Sequence, residues 1–174
     1  MHWLDSIRTF TPEAAIALRL LLAAALGAMI GLEREFKARP AGLRTHMLTS
    51  LAAAVFTVLT FELLHEARAR PQPGPADPIR VIEAVTAGVA FLGAGAIIQA
   101  RGHVRGLTTG AAMWLAGAVG VACGAGYYSI ALMATILALL ILTVLAYLER
   151  RFGMAPPDSQ SAPDTSSSKQ NRRD

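Results

Sequence analysis

Five apolar stretches alternate with short polar segments along the chain. Each stretch is about 20 residues long, the length that an α-helix needs to cross roughly 30 Å of hydrocarbon. A lipid-exposed strand or coil would leave backbone N–H and C=O groups without partners, so spans of this kind should be helical. The pattern therefore predicts an all-α integral membrane bundle with transmembrane helices at approximately 14–32, 47–64, 79–98, 107–126 and 127–148.

Composition agrees with a membrane protein and divides the chain into two regions. Hydrophobic residues make up 53% of the chain and the mean hydropathy is +0.44, high values for a water-soluble protein. After Arg151 the composition changes to Pro, Ser and charged residues, which cannot bury enough apolar surface to fold. We expect a transmembrane domain over 1–151 followed by a disordered cytoplasmic tail over 152–174.

Basic residues are distributed unevenly between the two sides of the predicted bundle. The side that carries the connections at 33–46 and 99–106 and the tail holds 11 of the 16 Lys and Arg residues, the other five being Arg8, Arg19, Arg68, Arg70 and Arg80. Short loops rich in Lys and Arg are retained in the cytoplasm. The asymmetry predicts that the N-terminus lies outside and the C-terminus inside. The basic residues lie in short clusters with few aromatics, which argues against nucleic-acid binding.

Four charged residues within or beside the predicted spans are predicted to lie at one depth in the bilayer. Arg19, Glu62, Arg80 and Glu83 all fall near the outer third of the bilayer, where they could form an orienting ion-pair cluster. The alternative is an entry site for an ion or a proton. Carboxylates are ligands that Mg²⁺ accepts, so we also consider a magnesium site built from Asp77, Glu62 and Glu83, or from Glu33 and Glu35 beside the first span.

Small residues four positions apart predict where the helices touch. The predicted ridges are Ala23, Gly27 and Gly31 on the first helix, Ala112, Ala116, Gly120 and Gly124 on the fourth, and Thr86, Ala90 and Ala94 on the third. An alternative for the third helix is that Gly93 and Gly95 let it bend or open and expose carbonyl groups. Thr108 or Thr109 is a candidate cap for the fourth helix.

Motifs for enzyme chemistry are absent from the sequence. No His or Cys spacing typical of a metal site occurs, and neither a Gly-x-Ser-x-Gly motif nor a phosphate-binding loop is present. We therefore expect a protein that is not an enzyme and carries no cofactor.

Four motifs follow one another along the chain: E-R-E at 33–35, R-x-A-G-L-R-T at 39–45, a variant of G-F-L-G-A-G at 90–95 and V-R-G-L-x-T at 104–109. The stretches that contain them, 27–56, 77–98 and 104–126, strongly resemble the MgtC/SapB family of bacterial inner-membrane proteins. The chain departs from the family at Ala90, where glycine is common, at Thr108 and Leu115, where a virulence-associated member has Asn and Cys, and at Ala84, where Gln is common. Some members carry a C-terminal domain similar to ACT modules, where this chain has the predicted tail.

The resemblance implies about five transmembrane helices and a role in adaptation to low magnesium, in survival inside phagocytes or in restraint of the F-type ATP synthase. We expect a non-enzymatic regulator that contacts a membrane partner, such as ATP synthase subunits, in the lipid bilayer, and a homo-oligomer is among the expected states. The residues expected to form contacts or to matter for function are Glu33, Arg34, Arg39, Gly42, Arg44, Thr45, Arg80, Glu83, Gly93, Gly95, Arg105, Gly106 and Thr108.

Two other interpretations remain open. The protein could transport Mg²⁺ or another ion through Glu83, Asp77 and the glycines of the third helix. The loop arginines, in turn, could serve only to orient the chain in the membrane.

Overall fold

The computed structural model describes residues 9–69, 77–98 and 106–152, and within these ranges it contains helices and no strands. The helices are α1 (Glu13–Phe36), α2 (Leu43–Arg68), α3 (Ile79–Ile98), α4 (Leu107–Gly124) and α5 (Tyr128–Leu140). A π-helical segment, Ile141–Leu145, continues α5 into α6 (Ala146–Arg151). The predicted all-α fold is therefore confirmed. The predicted tail lies outside the described residues from position 153 onward.

Five helical segments are long and apolar enough to cross a membrane, as the hydrophobic pattern predicts. The first four are α1 to α4, and the fifth runs from Tyr128 to Leu148 through the π-helical segment. Both α1 and α2 extend beyond the predicted apolar runs, because charged residues at the membrane surface can continue a helix that the apolar residues begin. The length and apolar composition of these five helices indicate a multi-pass membrane protein.

Helix α4 occupies the centre of the bundle and packs against α1, α2, α3 and α5. Half of the α4 span is buried, compared with 17% of the Tyr128–Leu148 span, so the last span lies at the periphery. The apolar core is formed by residues of four helices: Ala23, Leu26, Ile30, Ala54, Ala112, Val119, Cys123, Ala131 and Ala138.

Glycines bring the backbones of α1, α2 and α4 into direct contact. A Cβ atom placed on Gly27 would lie 2.7 Å from the carbonyl oxygen of His46, and one on Gly124 would lie 2.6 Å from that of Ala54. A Cβ atom on Gly120 would overlap the carbonyl oxygen of Ser50. The predicted ridges on the first and fourth helices are confirmed as helix contacts.

The predicted ridge on α3 is wrong. Ala90 and Ala94 are exposed, whereas the buried residues Val89 and Gly93 face α4. Gly93 lies against Gly110, and Val89 lies against Gly117. Residue spacing shows which residues share a face of a helix, but not which face is turned toward the neighbouring helix. On α3, Val89 and Gly93 have the same spacing of four as Ala90 and Ala94. Helix α3 runs without interruption through Gly93 and Gly95, so the alternative of an open segment is not seen in this structure.

Interhelical contacts define the two ends of the bundle. At one end, which we call the α1–α2 loop end, the connection 37–42 lies beside the start of α4, because Arg34 contacts Thr109. At the other, the α4–α5 loop end, Arg19 of α1 donates a hydrogen bond to the carbonyl oxygen of Gly124 at 3.0 Å. Gly126 makes the tight turn at that end with a φ of +84°.

Candidate functional site

A buried arginine joins α1 to α4 at the α1–α2 loop end. Arg34 lies in the last turn of α1 and is only 4% exposed. Its Nη2 donates a hydrogen bond to Oγ1 of the buried Thr109 at 2.7 Å. A guanidinium group is rarely buried unless its donors are paired. The hydroxyl of Thr109 therefore provides a specific partner for a charged group that is otherwise costly to bury.

The same contact corrects the prediction that Thr108 or Thr109 caps α4. The helix begins after Gly106, which has a φ of +85°, and no side chain caps it. Thr109 is used by Arg34 instead, and Thr108 is exposed. Gly106 is required by its backbone conformation and by its neighbour, because a Cβ atom there would lie 2.7 Å from the carbonyl oxygen of Ala96.

Glu33 and Lys37 form an ion pair one helical turn apart. The side chain of Glu33 is 10% exposed and that of Lys37 is 24% exposed. Lys37 also donates a hydrogen bond to the carbonyl oxygen of Leu142, at 2.8 Å, within the π-helical segment. A π-helical turn interrupts the regular i to i−4 pattern of hydrogen bonds. Lys37 thus fastens the end of α1 to the irregular part of the last span.

Glu35 turns back onto the start of α2. Its Oε2 accepts a hydrogen bond from the backbone N–H of Leu43 at 3.0 Å. The first N–H groups of a helix have no partner within the helix, and a carboxylate at this position also interacts favourably with the helix dipole. A Cβ atom at Gly42, the residue before α2, would overlap the Glu35 carboxylate in its present position. Because this carboxylate is the end of a flexible, exposed side chain, the contact does not require glycine, and the predicted importance of Gly42 stays a prediction.

His46 and Ser50 extend the polar region inward along α2, and both are fully buried. The Nδ1 of His46 lies 2.9 Å from the carbonyl oxygen of Gly42, so this nitrogen carries the hydrogen and donates it. We refer to Glu33, Arg34, His46, Ser50 and Thr109 as the polar cluster.

Several atoms of the polar cluster have no hydrogen-bond partner among the described residues: Arg34 Nε, His46 Nε2, Ser50 Oγ and Glu33 Oε2. They comprise a donor, an acceptor, a hydroxyl and a carboxylate oxygen. Buried atoms of these kinds commonly bind ordered water. The polar cluster therefore keeps unused hydrogen-bonding capacity within the bundle, directly beneath the loop.

Two arginines remain on the outer surface of the same end. Arg39 and Arg44 are exposed, and neither forms an ion pair with a described residue. We call them the arginine pair. Because Glu33 and Glu35 are engaged by Lys37 and by the Leu43 N–H, this end presents positive charge outward.

The other residues expected at this surface have different positions. Gly42 and Thr45 are partly buried, and Thr108 is exposed at the start of α4. Arg105 lies outside the described residues.

The two candidate glycines of α3 differ in their surroundings. Gly95 is exposed with open space around it, whereas Gly93 is buried against Gly110.

The predicted ion-pair cluster at the opposite end does not form. Arg19 binds the carbonyl oxygen of Gly124, and Glu62 accepts hydrogen bonds from the backbone N–H groups of Phe10 and Thr11 at 2.6 and 3.0 Å. Arg80 and Glu83 are exposed, and no ion pair joins any of these charged residues to another within the described ranges. The prediction used only the depth of each residue along its helix, and residues at one depth can point in different directions around the bundle.

The carboxylates of the two proposed magnesium sites are not arranged as metal ligands. Glu33 is paired with Lys37, and Glu35 accepts the N–H of Leu43. Among the described residues, no group of three His, Cys, Asp or Glu side chains is placed to hold a metal ion. Asp77 is already used, because its Oδ1 accepts a hydrogen bond from the backbone N–H of Ile79 at the start of α3.

Sequence reasoning missed the roles of His46, Ser50 and Thr109. Each is a small or medium polar residue within an otherwise apolar helix, and that is the signal that could have identified them. Lys37 was counted only as a loop charge, since a contact with Leu142 spans more than a hundred positions and has no local signature.

Sequence comparison with known proteins identifies the family of this chain. The sequence profile of the MgtC family matches residues 20–151. The chain is 38% identical over 139 residues to Protein MgtC of Salmonella typhimurium (strain LT2), covering 80% of this chain and 56% of that protein. It is 42% identical over 125 residues to Protein MgtC of Brucella abortus (strain 2308), covering 72% of this chain and 49% of that protein.

The chain thus spans about half the length of the curated relatives that it matches. No solved structure matches it at a significant level.

Proposed function

Since the chain belongs to the MgtC family, we propose that it is a non-enzymatic regulator of the bacterial inner membrane that acts by contacting another membrane protein. The contact surface is the arginine pair, Arg39 and Arg44, together with the exposed start of α4 at Thr108. The F-type ATP synthase is the partner that we propose, in cells adapting to low magnesium or acid stress.

The observation that carries the proposal is the charge separation at the α1–α2 loop end. Glu33 is paired with Lys37 and Glu35 with the N–H of Leu43, while Arg39 and Arg44 remain exposed. Exposed, unpaired guanidinium groups suit a partner with acidic side chains, because electrostatic complementarity selects the partner and speeds association.

The proposed orientation follows from the same charges. Basic residues in short loops are retained in the cytoplasm, so the α1–α2 loop end faces the cell interior and the N-terminus lies outside. A cytoplasmic arginine pair is accessible to the cytoplasmic part of a membrane partner.

Crosslinking in native membranes tests the proposal. A tagged wild-type protein, an Arg39→Ala/Arg44→Ala variant and an Arg68→Ala control are crosslinked and purified. Arg68 is also exposed but lies at the end of α2, on the opposite end of the bundle. Capture of ATP synthase subunits by the wild type and the control, with a loss of about tenfold or more in the double variant, is expected.

Reconstitution into liposomes tests the competing function. A flux of Mg²⁺ that Glu83→Gln abolishes, together with equal capture of partners by all three proteins, would contradict regulation through the arginine pair. Under our proposal the liposomes show no flux that depends on Glu83.

A further inference from the structure

A groove runs along the side of the bundle between α2 and α3. Its volume is about 670 Å³, within the range of small-molecule sites. Phe56 and Leu59 on α2 and Phe91 and Leu92 on α3 line it, and each is at least half exposed. The groove therefore opens sideways, toward the lipid.

The walls of the groove are apolar along nearly their whole length. The two lining threonines of α2 are turned onto their own helix: Thr49 donates to the carbonyl oxygen of Thr45 and Thr60 to that of Phe56, each at 2.8 Å. Their hydroxyl hydrogens are thus satisfied within the helix. Among the described residues that line the groove, only Arg80, in the first turn of α3, is charged.

The length of the groove distinguishes between its conceivable occupants. On α3 it extends from Arg80 to Leu92, which is about 18 Å at 1.5 Å per residue, and on α2 from Thr49 to Leu63, which is about 21 Å. One leaflet of the bilayer contributes about half of the roughly 30 Å of hydrocarbon, whereas a transmembrane helix of a partner crosses all of it. A groove that begins at a charged residue in the first turn of α3 and is shorter than a full span matches an acyl chain better than a transmembrane helix.

Next to Arg80, just outside the lining of the groove, α3 carries a second charged residue, Glu83. Arg80 and Glu83 lie three residues apart on α3, where side chains on a helix are neighbours, and both are exposed. No ion pair joins them, and Asp77 beside them is occupied by the backbone N–H of Ile79. A headgroup with one negative and one positive charge complements this arrangement, whereas a purely anionic headgroup would meet the Glu83 carboxylate.

We infer that the α2–α3 groove binds one phospholipid whose headgroup carries both a phosphate and an ammonium, as phosphatidylethanolamine does. The phosphate accepts hydrogen bonds from the Arg80 guanidinium, the ammonium lies beside the Glu83 carboxylate, and an acyl chain fills the apolar groove past Gly88. Lipid binding at this site is independent of any contact at the arginine pair, which lies at the opposite end of the bundle.

Two glycines of α3 provide a matched pair of variants. A Cβ atom on either Gly88 or Gly95 would meet nothing within 4 Å, so a side chain can begin at either position without displacing a neighbour. Gly88 lines the groove and Gly95 does not. Gly88→Leu therefore fills the groove, and Gly95→Leu is its control on the same helix.

Native mass spectrometry of the full chain, released from detergent with phosphatidylethanolamine or phosphatidylglycerol added, tests the inference. The wild type and Gly95→Leu are expected to retain one phosphatidylethanolamine, and Gly88→Leu to retain none. Arg80→Gln should weaken retention about tenfold, the loss expected from a charge-assisted hydrogen bond. Glu83→Gln should remove the preference for phosphatidylethanolamine over phosphatidylglycerol.

Three results would overturn the inference. The first is equal lipid retention by Gly88→Leu and Gly95→Leu, and the second is equal retention of the two lipids by the wild type. The third is a dimer mass that disappears only in Gly88→Leu, which would assign the groove to a second copy of the chain. Thermal unfolding of all four variants in detergent, with midpoints close to the wild type, ensures that lost binding reflects the groove.

Discussion

Arg34 Nη2 and Thr109 Oγ1 lie 2.7 Å apart and form a buried hydrogen bond between the end of α1 and the start of α4. The two residues are 75 positions apart in the chain, and the bond holds the central helix α4 to the segment that carries the arginine pair. This contact links the packing of the membrane domain to the position of its proposed contact surface.

Replacing Thr109 by Val should lower the free energy of unfolding by about 1.5–3 kcal/mol, because it leaves a donor of the buried Arg34 unpaired. The exposed neighbour Thr108→Val is the control, and its effect should stay within about 0.5 kcal/mol. Reversible unfolding in mixed detergent micelles measures both. Equal effects of the two substitutions would show that the Arg34–Thr109 bond does not stabilise the fold.

The same pair allows a double-mutant cycle. In an Arg34→Met background, Thr109→Val should cost much less than it does in the wild type, with a coupling free energy of about 0.5–3 kcal/mol. Additive effects of the two substitutions would contradict a direct interaction.

Gly120→Ala should destabilise the bundle by about 1–3 kcal/mol, because the added methyl group overlaps the backbone carbonyl of Ser50 and forces α2 and α4 apart. Gly95→Ala is the matched change at an open position of α3, and it should leave stability unchanged or raise it by about 0.5–1 kcal/mol. Thermal unfolding in detergent compares them. If the two alanines had the same effect, the close approach of α2 and α4 would not be required.

Lys37→Met should loosen the last span, since Lys37 donates to the carbonyl oxygen of Leu142 in the π-helical segment. The expected result is faster amide hydrogen exchange over Ile141–Leu145 in nanodiscs, with little change over the middle of α4. Arg39→Met, which removes an exposed charge from the same loop, is the control. Unchanged exchange in Lys37→Met would mean that the π-helical segment is stable without this contact.

The apolar pattern was sufficient to predict five helices, and the third matches its predicted range of 79–98 at both ends. Hydrophobic burial in lipid depends mainly on length and composition, which are local properties of the sequence. The ends of α1 and α2 were less predictable, because their charged residues at the surface, such as Arg34 and Glu35, remain helical while making specific contacts.

The polar cluster was only partly predictable. Glu33 and Arg34 were candidates because of their motif, but the partners Thr109 and His46 depend on how α1, α2 and α4 are rotated about their axes. The same uncertainty explains the error at Arg19 and Glu62, which lie at the expected end of the bundle but turn toward Gly124 and the Phe10–Thr11 backbone. Small-residue spacing predicted the contact faces of α1 and α4, but the direction of each polar side chain depends on the rotation of its helix, which the spacing does not give.

Cysteine accessibility at position 44 tests the central claim that the arginine pair faces the cytoplasm, where a membrane partner can reach it. The measurement uses Arg44→Cys in a Cys123→Ala background, since Cys123 is the single native cysteine and is fully buried, with Arg68→Cys as the control at the opposite end. The account predicts that a membrane-impermeant maleimide labels Arg44→Cys only after the cells are permeabilised, while Arg68→Cys is labelled in intact spheroplasts. Labelling of Arg44→Cys in intact spheroplasts would contradict the proposed orientation and the contact surface that depends on it.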